Sequence, residues 1–545
     1  MAISYTARYA GQIDPASGEY PQGTPRNDAT PGDQSGTPWE EAILKDIAGF
    51  QAALLLESGI AASDIPDTAL ISQYLDGIKA TILNAAQMTT LDLIASTKVH
   101  AAGAMLLLGG YSSAGGIGQA SWVLTGVTGL PVSQSPAQLG DALIVDGNGD
   151  QWAIVQDGKI STAALGTTGL GLVDELAILN ACYAGLDEPH LPEGSYQTSA
   201  VWEMFDDNKT VTGAGQGKTI IVPAFVSGDV IKVGDGITDI KNVFLRDFTI
   251  DAPSGFPRTA GAGIRLDDAQ QCEFSRIELL DQFRGIQIDG ANTTHVVFKN
   301  IVIRNVVPST GTGVFINGGG DHFFSYLSIN NPDGSQPLAG IEIRNSNATW
   351  FDNSDIIHSG IGLLVNPGAG DIVTWIFAMN TAFDLNDNDG IRIKSSNAGA
   401  INKGHQFTGC WTSSNDSVGV RIGGADVPDG IYFSNHRSFT NGSNGYLLEA
   451  GKNVNFDACK AGGNSVTTPG TSAGFQINAN VNDFAVRNCT SGLQARFTNL
   501  QGRGLTINAG TSDNYIVTGN DFTNNTLGPL DGGTGVNKVF TNNIS

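Results

Sequence analysis

Asp267 and Asp289 are the first residues in this chain whose type and spacing could do chemistry. Each is the fourth residue after a glycine, in GIRLD from Gly263 and GIQID from Gly285. Equivalent positions on paired neighbouring strands lie about 5 Å apart, so the two carboxylates should stand side by side. Glu342, in GIEI from Gly340, follows two repeats later, about 10 Å along and one outward position nearer its glycine. Glycoside hydrolysis needs one carboxylic acid to protonate the leaving oxygen and a second carboxylate as nucleophile or base. Neighbouring carboxylates hold protons more tightly, which suits the acid. The alternative is a set of solvated acids with cationic partners, Asp289 pairing with Arg265 or Arg344. Asp352 and Asp355, in TWFDNSDIIHS, form a second acidic pair, or serve as turn residues around Asn353 and Ser354.

Arg344, Arg392, Lys394 and Arg421 make a cationic stretch beside the acids. A polysaccharide lyase uses such cations to neutralise a uronate carboxylate while Tyr, His or Lys removes a proton; Tyr326, His322 and His358 are nearest. The same row could simply offset the acids or bind an anionic glycan. Arg344 and Arg392, with Trp350, Trp375 and Trp411, are candidates for holding sugars. The histidines have no metal-type spacing, so neither a metal nor another cofactor is expected. DLNDNDG from Asp384 resembles a calcium loop, but its glycine arrives one residue late, and NDSVG and NGSNG repeat it as a coil-closing turn. GAGQGKT from Gly213 lacks the first glycine of a phosphate loop, since position 212 is Thr212. No Gly-x-Ser-x-Gly elbow is present.

The elements that must position these groups are announced by ten units of the form Gly, apolar, any, apolar, from Gly263 to Gly504, recurring every 22 to 30 residues. Such a period means a solenoid of stacked coils. Alternation along a strand turns the first and third residues after each glycine inward, and all are Ile, Leu, Val, Phe or Tyr. Arg265, Asp267, Gln287, Asp289, Glu342, Arg344, Arg392, Lys394 and Arg421 then face out. Further strand-like stretches in each coil, separated by Asn, Gly, Ser and Asp, predict a right-handed parallel β-helix over 201–545. Ahead of it, 1–38 reads as an extended arm and 39–165 as an α+β region. That region has helical patterns over Trp39–Ser58 and within Pro66–Ser96, and a hairpin in ALIVDGNGDQWAIV. Residues 166–200 hold a linker helix, Val173–Ala184, and the start of the β-helix.

A formal charge of −24 argues against nucleic acid and anionic membranes as partners. MAISYTARYA has neither the basic start nor the apolar run of a signal peptide, and no stretch is long enough for membrane insertion. A soluble protein made in a cytosol is expected. The five cysteines have no CxxC spacing, which predicts buried free thiols.

After the linker helix come Leu191, Pro192, Gly194 and Tyr196 in PHLPEGSYQTS, then Gly213, Gly215, Thr219 and Ile220 in TVTGAGQGKTIIVP. This passage resembles the start of the pectate-lyase-like β-helices of bacteriophage tailspikes, and ISQYLDGIKATIL resembles a phage-tail linker. The resemblance implies a homotrimeric virion spike whose N-terminal region attaches to phage tail or baseplate proteins. Its rod would bind and depolymerise a bacterial surface polysaccharide, by hydrolysis or as a lyase, or bind it without cutting. It also implies that Asp352 or Asp355 combines with Glu342 across one coil.

Overall fold

The computed structural model describes residues 159–545, except 254–257, 333, 396–398, 493–497 and 499, together with short stretches before residue 159. Its parallel β-solenoid has about 14 turns. The glycine units form one face, here face A, in unbroken parallel register. Ile264 lies opposite Ile286, then Val314, Ile341, Leu363, Ile391, Val420, Tyr446, Phe475 and Leu505 in turn. These inward residues are buried, as the alternation requires.

The glycines themselves are explained by close approach. A Cβ on Gly285 would lie 2.7 Å from the carbonyl oxygen of Gly313, and one on Gly313 would lie 2.5 Å from that of Gly340. The same contact runs on from Gly362 to Gly390 at 2.5 Å and from Gly445 to Gly474 at 2.7 Å. None of these glycines has a positive φ. The requirement is therefore empty space for the next coil's carbonyl rather than backbone freedom.

Two further faces complete each coil. Face B carries an interior file of rings, Phe274, Phe298, Phe324 and Phe351, with centroids 5.0, 4.7 and 5.1 Å apart. Face C includes the short strands Ser328–Asn330, Asp355–Ile357, Ala382–Asp384, Trp411–Ser413, Arg437–Phe439 and Lys460–Gly462, each paired with the next. At the corner from B to C, twelve successive coils each place one left-handed residue. Asp247, Arg276, Asn300, Tyr326, Asn353, Asn380, Gly409, Asn435, Ala458, Asn488, Gly519 and Asn542 follow one another there. At the corner from C to A, the side-chain oxygens of Asn415, Asn441, Asn464 and Gln501 each accept two bonds from the preceding coil, from the backbone N–H and the amide of Asn386, Asn415, Asn441 and Asn464. Buried turn backbone is thus satisfied by a file of amides.

Parallel pairing begins with Ile160–Ser161 against Pro189–Leu191. The helix spans Leu176–Gly185, not Val173–Ala184, because Val173 and Asp174 belong to the strand Leu170–Asp174. It lays Leu179 and Tyr183 into the core. The residues shared with tailspikes hold one another: Tyr196 donates to the Pro192 carbonyl, and Thr219 Oγ1 donates to those of Leu191 and Pro192. The expected hairpin is present, Leu143–Val145 pairing antiparallel with Asp150–Ile154. Of Trp39–Ser58 only Ile47, Phe50, Ala53 and Leu54 are described, all helical, and Pro66–Ser96 lies outside the described residues. All five cysteines are buried free thiols; burial pushes Cys272 up to about 11 and Cys410 up to about 12. Among the described residues no helix is long and apolar enough to cross a membrane.

Gly313→Ala should lower stability by about 1–3 kcal/mol through overpacking, read as a fall in midpoint by thermal unfolding. Gly528→Ala, where an added Cβ meets nothing within 4 Å, should leave the midpoint unchanged.

Candidate functional site

Face A brings Asp267, Asp289 and Glu342 onto one surface, each held by cations. Arg265 reaches Asp229 at 3.6 Å, Asp267 at 3.2 Å and Asp289 at 3.1 Å, and Lys232 lies 3.7 Å from Asp267. Gln287 donates to Asp289, and Arg284 to Gln287 at 2.6 Å. Burial pushes the Asp267 carboxyl up, and Arg265 and Lys232 pull against it. A Cβ on Gly236 would lie 3.0 Å from this carboxyl, so backbone covers it. Glu342 points outward as the pattern requires, yet it is only 2 % exposed. It sits between Phe315 and Leu364 of the adjoining coils and accepts from Arg344 Nε at 2.8 Å. The guanidiniums of Arg284 and Arg344 lie over the Phe315 ring, 4.0 and 5.3 Å from its centre. This surface is a closed lattice of ion pairs.

Asp352 and Asp355 do not join Glu342. Asp352 ends a face B strand opposite Ser325 and Met379 and accepts from the Asn353 amide. Asp355 is on face C, opposite Ser328 and Ala382. The corners of the coil separate all three rows.

What Asp355 meets is Asp384, which the sequence pattern assigned to a turn. Asp384 lies on the next coil, two residues beyond Ala382 and opposite Ile357, a diagonal of about 8 Å between backbones. Asp355 stays exposed, yet partial desolvation pushes its carboxyl up, and His358 opposes the shift. Burial likewise pushes Asp384 up; the Leu385 N–H pulls it back, and the charge of Asp355 raises it again. Neither forms a salt bridge among the described residues. One coil further, Trp411 occupies the same row as Asp355, with the small Ala382 between them. Asp355 and Trp411 therefore wall a notch floored by Ala382 and flanked by Asp384, to which the Trp411 and Ser414 side chains donate.

The other tryptophans differ. Trp350 is stacked between Phe323 and Phe377, at 4.5 and 5.2 Å, so both faces are taken and no sugar can stack there. Trp375 is 49 % exposed. Of the proton-accepting candidates, His322 is fully buried, Nε2 donating to the Gly318 carbonyl at 3.0 Å, and burial pushes it down to about 4; Tyr326 stands on the B–C corner. On the basic row, Arg392 and Arg421 share the fully buried Asp389, the last acid of DLNDNDG.

The sequence matches no family profile and no curated protein. Solved structures do match. Tailspike protein 2 of an Escherichia coli O157:H7 bacteriophage aligns at 10 % identity with a TM-score of 0.52, over 83 % of this chain and 54 % of its own. The chain shares the parallel β-helix fold of phage tailspikes. A tailspike of an Acinetobacter baumannii bacteriophage, a capsular polysaccharide depolymerase, aligns at 12 % identity with a TM-score of 0.47, over 84 % of this chain and 75 % of its own. The A-module of an Azotobacter vinelandii mannuronan C-5 epimerase aligns at 17 % and 0.46, over 70 % of this chain and all of its own.

The raised carboxyls of Asp355 and Asp384 carry a stability signature. The folded state binds their protons more tightly than the unfolded chain, so their contribution falls as pH rises from the usual 3.8 through the raised values. Asp384→Asn, at the half-buried member of the pair, should therefore raise the unfolding midpoint at neutral pH, and the gain should vanish at pH values below the usual carboxylate range. Asp389→Asn should do the reverse, costing about 3 kcal/mol or more by stranding two arginines. Thermal melts of both variants across pH check the pair.

Proposed function

We propose that this chain is a phage-tailspike enzyme that cuts a bacterial surface polysaccharide by hydrolysing glycosidic bonds in the face C notch. The observation that carries this reading is the pair Asp355 and Asp384, two carboxyls with no salt bridge to Lys or Arg among the described residues and both raised from the usual carboxylate value, beside an indole. The tailspike and epimerase neighbours, which act on polysaccharides by their descriptions, support a polymeric sugar as substrate.

In this reading Asp384 is the acid. Its charge is opposed by burial and by Asp355, which favours the protonated form that an acid needs to give a proton to the leaving glycosidic oxygen. Asp355, with His358 beside it, is the base that takes a proton from water. The water oxygen bonds to the anomeric carbon as the carbon–oxygen bond to the leaving sugar breaks. The diagonal of about 8 Å between their backbones fits the wider carboxyl spacing of inverting enzymes, which leaves room for that water. Trp411 supplies an apolar wall for a sugar ring, and Trp375 a second exposed indole. Asp267, Asp289 and Glu342 hold the rod rather than the substrate, and Asp352 lies outside the notch.

The chain would act as a homotrimer at the bacterial surface, attached to the phage tail through its N-terminal region. A lyase on the same fold is the second reading, favoured by the cations of face A.

Incubation with candidate capsular and O-antigen polysaccharides, followed by size-exclusion chromatography, tests the reading. Shorter fragments without the ultraviolet absorbance of an unsaturated uronide are expected, with an inverted anomer by NMR. Asp384→Asn and Asp355→Asn should each lower kcat by about 10²–10⁴-fold, while folded Glu342→Gln should retain turnover. Fragments with that absorbance would establish the lyase, and unchanged chain length across the panel would leave a binding spike.

A further inference from the structure

On face A, the turns that leave Asp384 and Trp411 lead directly into the strands Ile391–Ser395 and Val420–Gly424. There a cavity of about 410 Å³ opens, lined by Arg392, Lys394, Arg421, Gly423, Gly424 and Glu449. Three cations meet two carboxylates, those of Glu449 and of the buried Asp389 behind the pocket. The division among them is unequal. Arg421 is committed: Nε binds Asp389 at 2.8 Å and Nη1 binds Glu449 at 2.8 Å. Arg392 meets Asp389 through Nε. Neither its two Nη groups nor the Lys394 ammonium has a partner among the described residues. Asp389 thus fixes the Arg392 guanidinium by one edge and leaves the other edge open.

Glycine shapes the cavity. Lys394 lies opposite Gly423, and Ser395 opposite Gly424. A Cβ on Gly423 would come within 2.7 Å of the Glu449 carboxylate, so any other residue there would crowd the wall. The contrast with the acid end of the same face is direct. Around Asp229, Asp267 and Asp289, every acid has a basic neighbour and both Arg265 and Lys232 are engaged. On a chain of formal charge −24, an open pair of cations one corner beyond the face C acids attracts anions that the rest of the surface repels. The open fork of a fixed guanidinium matches a carboxylate in its own plane, and a nearby ammonium adds a second charge.

We propose that this pocket binds the carboxylate of an acidic sugar unit, so that the polysaccharide recognised is a uronate-bearing or similarly carboxylated polymer. The inference names the substrate class for the hydrolase reading and rests on it only for the adjoining cut. A polymer seated in the face C notch would turn the C–A corner with its next acidic unit in the pocket.

Binding of the full-length protein to polygalacturonate, to the same polymer with its carboxyls reduced to alcohols, and to dextran sulfate tests this by calorimetry. Polygalacturonate should bind, in a salt-sensitive manner, and the reduced polymer should not. Lys394→Gln, which breaks no ion pair, should weaken binding by about tenfold. Arg392→Gln should weaken it further, provided its melt is that of the parent. Equal binding of the reduced polymer, unchanged affinity in Lys394→Gln, preference for dextran sulfate alone, or no binding of polygalacturonate would each overturn the pocket. Asp384→Asn separates the two readings: lost cleavage with retained polygalacturonate binding is expected. Retained cleavage would sink the hydrolase assignment and leave the pocket standing.

Discussion

The structure depends on one contact, the carbonyl oxygen of each face A glycine seated where the preceding glycine has no Cβ. Once that distance is set, each coil has one permitted register on its neighbour. A slip by one residue would place a side chain against a carbonyl and turn every core residue outward. The interior rings, the corner amides and the left-handed corners repeat in step with it. A chemical group on any coil is therefore positioned by counting coils, and side chains from distant parts of the sequence fall into shared rows.

Charge is used in two ways along this frame. Arg265 knits Asp229, Asp267 and Asp289 of three successive coils together, and the buried Asp389 does the same from the opposite sign with Arg392 and Arg421. Breaking such sets leaves a buried charge unmatched, so they serve as clamps between coils. Asp355 and Asp384 form no salt bridge among the described residues, and desolvation raises both carboxyls. Groups kept at a cost to the fold point to chemistry. The acids most visible as a stacked pair in the sequence are thus the ones the fold consumes.

The frame was legible from the sequence because its signal is periodic. All ten glycine units face inward as alternation dictates, and Asp267 and Asp289 are direct neighbours on adjoining strands. The misplacements come from what periodicity omits. Glu342 is outward by parity but hidden by Phe315 and its two arginines, a contact across coils that no local pattern encodes. Trp350 looked available until the rings of the coils above and below took both its faces. Asp384 was hidden by its own neighbourhood, since DLNDNDG reads as a turn. Only AFD at Ala382–Asp384, matching DII at Asp355–Ile357, would have moved it onto a strand. The linker helix was found, but Val173 and Asp174 belong to the strand Leu170–Asp174, which pairs through Leu170 with Ser195 and through Asp174 with Gln197.

The left-handed corner between faces B and C has a different consequence. Asp, Arg, Asn, Tyr, Ala and Gly all occupy it, so the position selects a backbone shape and almost nothing about the side chain. Because the interior is unaffected by what is mounted there, the corner works as a display rail. A lineage of such rods can exchange its outward chemistry one coil at a time, altering what the surface presents while the scaffold beneath is inherited unchanged.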